Sequence, residues 1–116
     1  MHFKLMCAFV DDSKTQVVID TARKNGATGS TLISNARGEG LSESKTFLGL
    51  TLETQRDIVL FLIEEHMSRE ILESIAEAAK FDEEPGSGIA FIIDVEDVIG
   101  VGQQIASLAP TVEEEI

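Results

Sequence analysis

A chain of 116 residues supports one domain around a single core. Hydrophobic residues make up 43% of it, as in ordinary globular proteins, with six Phe and neither Trp nor Tyr, so no tyrosine is present to be modified. A formal net charge of −12 repels nucleic acid and anionic membrane surfaces and argues against both as partners.

The opening run MHFKLMCAFV is apolar but broken by Lys4. It is too short to span a membrane and lacks a small-residue cleavage site. Its Cys7 is the single cysteine, which excludes an intramolecular disulfide and suits a buried hydrophobe. The expectation is a soluble, cytoplasmic protein.

Residues 3–10, FKLMCAFV, read as a strand ended by the polar DDSK. SKTQVVIDTARKN then reads as a helix carrying Val18 and Ala22 one turn apart, capped by Asp12 or Ser13 and closed by Gly26. TLISNAR, 31–37, is a second strand. The pattern then repeats. DIVLFLI, 57–63, is the strongest strand, and SREILESIAEAAK, 68–80, is an amphipathic helix with Ser68 as its N-cap and Ile71, Leu72, Ile75, Ala76 and Ala79 on one stripe. IAFIIDV, 89–95, closes the second unit.

Two βαβ halves predict an α+β, ferredoxin-like βαββαβ sandwich: a four-stranded antiparallel sheet with two helices on one face. The other face would be apolar, and oligomerisation is the simplest way to bury it. The domain is expected to span 1–105, with a long loop at 38–56 and an acidic C-terminal tail at 106–116. EDVIGVG, up to residue 102, reads as a short edge strand.

Few residues suggest chemistry. Glu64, Glu65 and His66 stand in a row at a strand-to-helix connection, where consecutive side chains are expected to diverge, so no metal site is expected. His2 reads as a mobile terminus. FDEEP, 81–85, gathers carboxylates without the ligand spacing of a calcium loop. No His/Cys or Ser/His/Asp pattern is readable, so no catalytic residue is expected. PGSGI, 85–89, is a glycine turn entering a strand, which can present N–H donors to a phosphate or be only a turn.

Four stretches together resemble the P-II family of nitrogen-regulatory signal proteins, over about residues 3 to 102. NGATGST (25–31) is similar to the family's Gly, Thr-Gly, Thr entry into strand two. RGEG (37–40) resembles the entry to its long T-loop. GSGIAFI (86–92) is similar to its B-loop turn, and VEDVIGVG (95–102) to the segment that ends in a pair of arginines.

The resemblance implies a homotrimer binding adenine nucleotides in clefts between subunits. It also implies signalling through loop 38–56 to a partner, plausibly a membrane transporter. The ligand would lie beside Gly29, Thr31, Gly38, Glu39, Gly40, Gly86, Ser87 and Gly88. The family's B-loop lysine is Ile89 here, its two arginines are Gly100 and Gly102, and its T-loop glutamine is Ser42. AMP or ADP is therefore expected as effector over ATP. The alternative is a small ferredoxin-like enzyme with its active site in the same cleft, for which Arg37 and Glu39 are the nearby titratable groups.

Overall fold

The computed structural model describes residues 1–36, 46–47, 50–51 and 56–115. In chain order, β1 is Phe3–Asp11, α1 Thr15–Lys24, β2 Thr31–Ala36, β3 Thr46–Phe47, β4 Leu50–Thr51, β5 Arg56–Glu64, α2 Glu65–Ala78, β6 Gly88–Asp94 and α3 Gly102–Glu115. Four strands form one antiparallel sheet in the order β2-β5-β1-β6, and β3 and β4 form a separate two-stranded ladder. This is the ferredoxin-like α+β sandwich that the two βαβ repeats predict.

Period-two alternation builds the sheet's two faces. Met6, Ala8 and Val10 of β1 and Val59, Phe61 and Ile63 of β5 are buried. They form one core with Val18 and Ala22 of α1 and with Ile71, Ile75 and Ala79, on and just beyond α2. The register places Cys7 opposite Leu60 and Phe91, and Phe9 opposite Ile58 and Ile89, so these side chains share the other face. There Phe9 and Phe91 meet edge to face, with ring centroids 5.6 Å apart. Ile33 and Ile93, on the same face, are 46% and 47% exposed. Burial pushes the Cys7 thiol up, as befits a core residue rather than a reactive one.

Both helices of the repeats end in the same device. At α1 the Ala27 N–H reaches Ala22 O at 2.9 Å and the Gly26 N–H reaches Arg23 O at 3.2 Å. Gly26 takes φ +114 there, as a C-terminal glycine cap requires. At α2 the Phe81 N–H reaches Ala76 O at 3.1 Å and the Lys80 N–H reaches Glu77 O at 3.2 Å. Here the left-handed position falls on Lys80, φ 57, with no glycine to relieve it.

The starts differ from the sequence reading. Neither Asp12 nor Ser13 caps α1; the Asp11 carboxylate accepts from the Ser13 N–H at 3.0 Å and opens a short 3-10 turn, Asp12–Lys14, that leads into Thr15. Nor does Ser68 cap α2. The helix begins three residues earlier, at Glu65, because the buried Glu64 carboxylate accepts from the His66 N–H at 2.8 Å. Ser68 instead lies inside the helix, its hydroxyl donating to Glu65 O at 2.8 Å.

The C-terminal stretch is also corrected. β6 ends at Asp94, residues 95–101 form no strand, and Gly100 turns the chain at φ +90 into α3. The region read as an edge strand followed by an acidic tail is therefore a bend followed by a helix. Leu108 of α3 is buried in the core cluster. No helix among the described residues is long and apolar enough to cross a membrane.

Candidate functional site

The sequence-predicted site residues fall into two separated groups. Gly29 and Thr31 lie where the chain enters β2, and there they line an open cleft of about 280 Å³. Leu60 and Leu62 of β5 form its apolar wall, Thr28 and Ser30 add exposed hydroxyls, and Gln104 of α3 completes the lining. Gly86, Ser87 and Gly88 lie elsewhere. Thr31 is opposite Leu60 on β5, whereas Gly88 is opposite Val10, itself opposite Asp57. Three residues along the strands and three inter-strand steps across separate them by about 18 Å, from spacings of ~3.4 Å and ~4.8 Å. Within one chain the two groups do not meet. Gly38, Glu39 and Gly40, together with Arg37 and Ser42, lie outside the described residues.

The glycines of the two groups are explained differently. Gly86 sits at φ +78, which the turn requires, and a Cβ on Gly88 would come within 2.5 Å of the Phe81 ring. Both are accounted for by the fold. The Ser87 N–H is likewise committed, donating to Glu84 O at 3.1 Å, while Ser87 O accepts from the Asp11 N–H at 2.8 Å. Lys14 anchors the turn further with an ion pair to Glu84 at 2.6 Å. Its hydrogen bond to the Glu84 carboxylate holds that group below its ordinary value. Gly29 has no such reason. Its φ lies outside the left-handed region and a Cβ there would meet nothing within 4 Å. It is one of the residues that line the cleft.

At the β1–β5 end nearest the glycine turn lies a buried polar group. Thr15 Oγ1 donates to Asp57 Oδ2 at 2.6 Å, and both residues are buried, as is Arg56. Arg56 is opposite Asp11 in the sheet and contributes to lowering its carboxylate, after the larger effect of the Ser13 N–H. The sequence reading did not single out these residues, since charged residues at a strand start look like an ordinary solvated end.

Two further expectations change. Glu64, Glu65 and His66 do not diverge: one ligand atom of each lies within 4.8 Å of the others. The early start of α2 causes this, since 65 and 66 belong to its first turn and Glu64 folds over it as the cap. His66 Nδ1 contacts Glu64 Oε1, which accounts for the convergence by capping. His2 is not loose either. Its ring bonds Asp94 at 2.5 Å, and its carbonyl accepts from the Glu65 N–H at 2.9 Å.

The three positions that the resemblance matches to a lysine and two arginines are spread along the C-terminal half. Ile89 is the second residue of β6, on the apolar face, Gly100 is the bend before α3, and Gly102 is the first residue of α3. None offers a charge to a phosphate. Leu60 and Leu62 were legible as one face of DIVLFLI, but their part in a cleft was not. Gln104 was missed, although Val101, Ile105 and Leu108 repeat at helical spacing around it.

A family model described as nitrogen regulatory protein P-II matches residues 3–104. No curated protein sequence matches the chain at a significant level. Among solved structures, CPII bound to ADP, AMP and acetate, from Thiomonas intermedia K12, superposes with a TM-score of 0.63 at 20% identity, covering 84% of this chain and 89% of that one. A protein assigned as PII-like and signalling, from Thermus thermophilus, gives 0.58 at 22% identity, with 82% and 91% covered. A protein of unknown function from Pediococcus pentosaceus ATCC 25745 gives 0.63 at 21% identity, with 86% and 98% covered.

Proposed function

The chain belongs to the nitrogen regulatory protein P-II family, and we propose that it is a cytoplasmic, non-enzymatic regulator that binds an adenine nucleotide between subunits of a homotrimer. Signalling is through loop 38–56 to a partner, for which a membrane transporter is the leading class. Family membership over 102 of 116 residues, counted from the match at 3–104, carries this reading. The adenine nucleotides in the Thiomonas structure's description favour the ligand class.

Two features support a cleft completed by a second copy. The 29–31 and 86–88 groups are too far apart in one chain to hold one ligand. The apolar sheet face, with Ile33 and Ile93 half exposed, is the kind of surface a second copy covers. In this arrangement Gly29 and Thr31 receive the base, and Gly38, Glu39, Gly40, Gly86, Ser87 and Gly88 border the phosphates from the neighbouring copy. The effector is AMP or ADP rather than ATP, because Ile89, Gly100 and Gly102 supply no positive charge. Each charge-assisted hydrogen bond contributes about 1.5–3 kcal/mol, so the lack of three is decisive for a triphosphate.

Calorimetric titration with AMP, ADP and ATP, with and without magnesium, tests the reading. AMP or ADP is expected to bind at least tenfold more tightly than ATP, a difference of about 1.4 kcal/mol. Equal or tighter binding of ATP would contradict the altered clamp, and no heat with any of the three would remove the nucleotide from the proposal.

A further inference from the structure

Resting on the nucleotide reading above, we propose that Gln104 of α3 is a specificity-determining residue: its carboxamide pairs with the edge of the adenine ring in the cleft between Gly29 and Leu60. The cleft of about 280 Å³ lies near the lower end of ligand pockets, a size for one nucleobase with the sugar and phosphates leading out. Leu60 and Leu62 give it an apolar wall for a flat ring, and the empty space before Gly29 lets the ring approach the backbone closely. Thr28, Ser30 and Thr31 bring hydroxyls, which rotate to suit any partner and select weakly.

Gln104 differs from these. A carboxamide holds one acceptor and one donor in a fixed plane. Adenine presents the complementary pair, its 6-amino donor beside a ring-nitrogen acceptor, and such bidentate pairing is how Gln reads adenine in nucleic acids. Gln104 lines the cleft from α3 and is half-buried there, within reach of a ring held against Leu60 and Leu62. α3 thus supplies base recognition from the segment whose cations are missing.

The test compares AMP with purine riboside 5′-monophosphate, which lacks only the 6-amino group, on wild type, Gln104→Leu and Gln104→Glu. Wild type is expected to prefer AMP by roughly tenfold, the size of one net hydrogen bond. Gln104→Leu should bind both nucleotides equally. Gln104→Glu keeps the acceptor and loses the donor, so it should retain the preference while binding both more weakly. Circular dichroism confirms that each variant folds. If Gln104→Leu keeps the wild-type preference, the role of Gln104 is overturned while the nucleotide reading stands. If wild type binds neither AMP nor ADP, the nucleotide reading falls and this inference with it.

Discussion

Asp94 ties the end of β6 to the N-terminal stretch. Its carboxylate receives the ring of His2 at 2.5 Å and the ammonium of Lys4 at 3.0 Å, at the end of β6 where the chain leaves the sheet. The His2 hydrogen bond, then that of Lys4, holds it below its ordinary value of 3.8. A carboxylate whose folded value is depressed binds fewer protons folded than unfolded, so it stabilises above the unfolded value and loses that effect as pH falls through the folded one. Wild type should therefore be more stable than Asp94→Asn at pH 7, and the gap should close below pH 3.8. Chemical denaturation of both proteins from neutral to strongly acidic pH checks this. A gap independent of pH would mean that Asp94 acts through packing or backbone alone.

Among the elements, α2 carries an avoidable strain. Lys80 occupies the left-handed position of its C-terminal cap, φ 57, while the equivalent position of α1 is Gly26. The β-carbon there costs about 1 kcal/mol. Lys80→Gly should raise stability by up to about that amount, less the entropy that glycine adds to the unfolded chain. Thermal or urea unfolding would show it, and a loss of stability would mean that the lysine stem packs usefully on its surroundings.

This pair of caps also marks how far the sequence could be read. Gly26 announced its own role, because glycine after a helical stripe has few other uses. Lys80 did not, since nothing in a lysine signals a left-handed bend. The alternation in FKLMCAFV and DIVLFLI made the sheet legible, as the stripe Ile71, Ile75, Ala79 did α2. Glu64 was hidden, because a glutamate at a strand end reads as solvated until the helix folds beneath it. α3 was disguised by its own composition: Pro110 lies inside it and the acidic EEE follows, so its apolar repeat looked like the start of a tail. The cleft was half legible. Gly29 and Thr31 came from a motif, but their neighbours Leu60, Leu62 and Gln104 come from elements remote in sequence, brought there by topology alone.

At the scale of the whole molecule, the sheet has one face beneath α1 and α2 and another whose strands carry Phe9, Ile58, Phe91 and Ile93. If three copies bury that face, light scattering should give three times the chain mass of 12.6 kDa. Ile93→Asp should then lower the mass toward a single chain and, on the proposal that two copies share each cleft, weaken nucleotide binding with it. A monodisperse monomer in the wild type would defeat the trimer directly.

The bend at Gly100 limits which side chains that position can carry. With φ +90 it occupies backbone that an arginine adopts only under strain, about 1 kcal/mol or more. Adding a cation here by Gly100→Arg should therefore lower stability, which melting of that variant would show. A cation for a phosphate at this point would have to come from rebuilding the turn into α3, not from exchanging this one side chain.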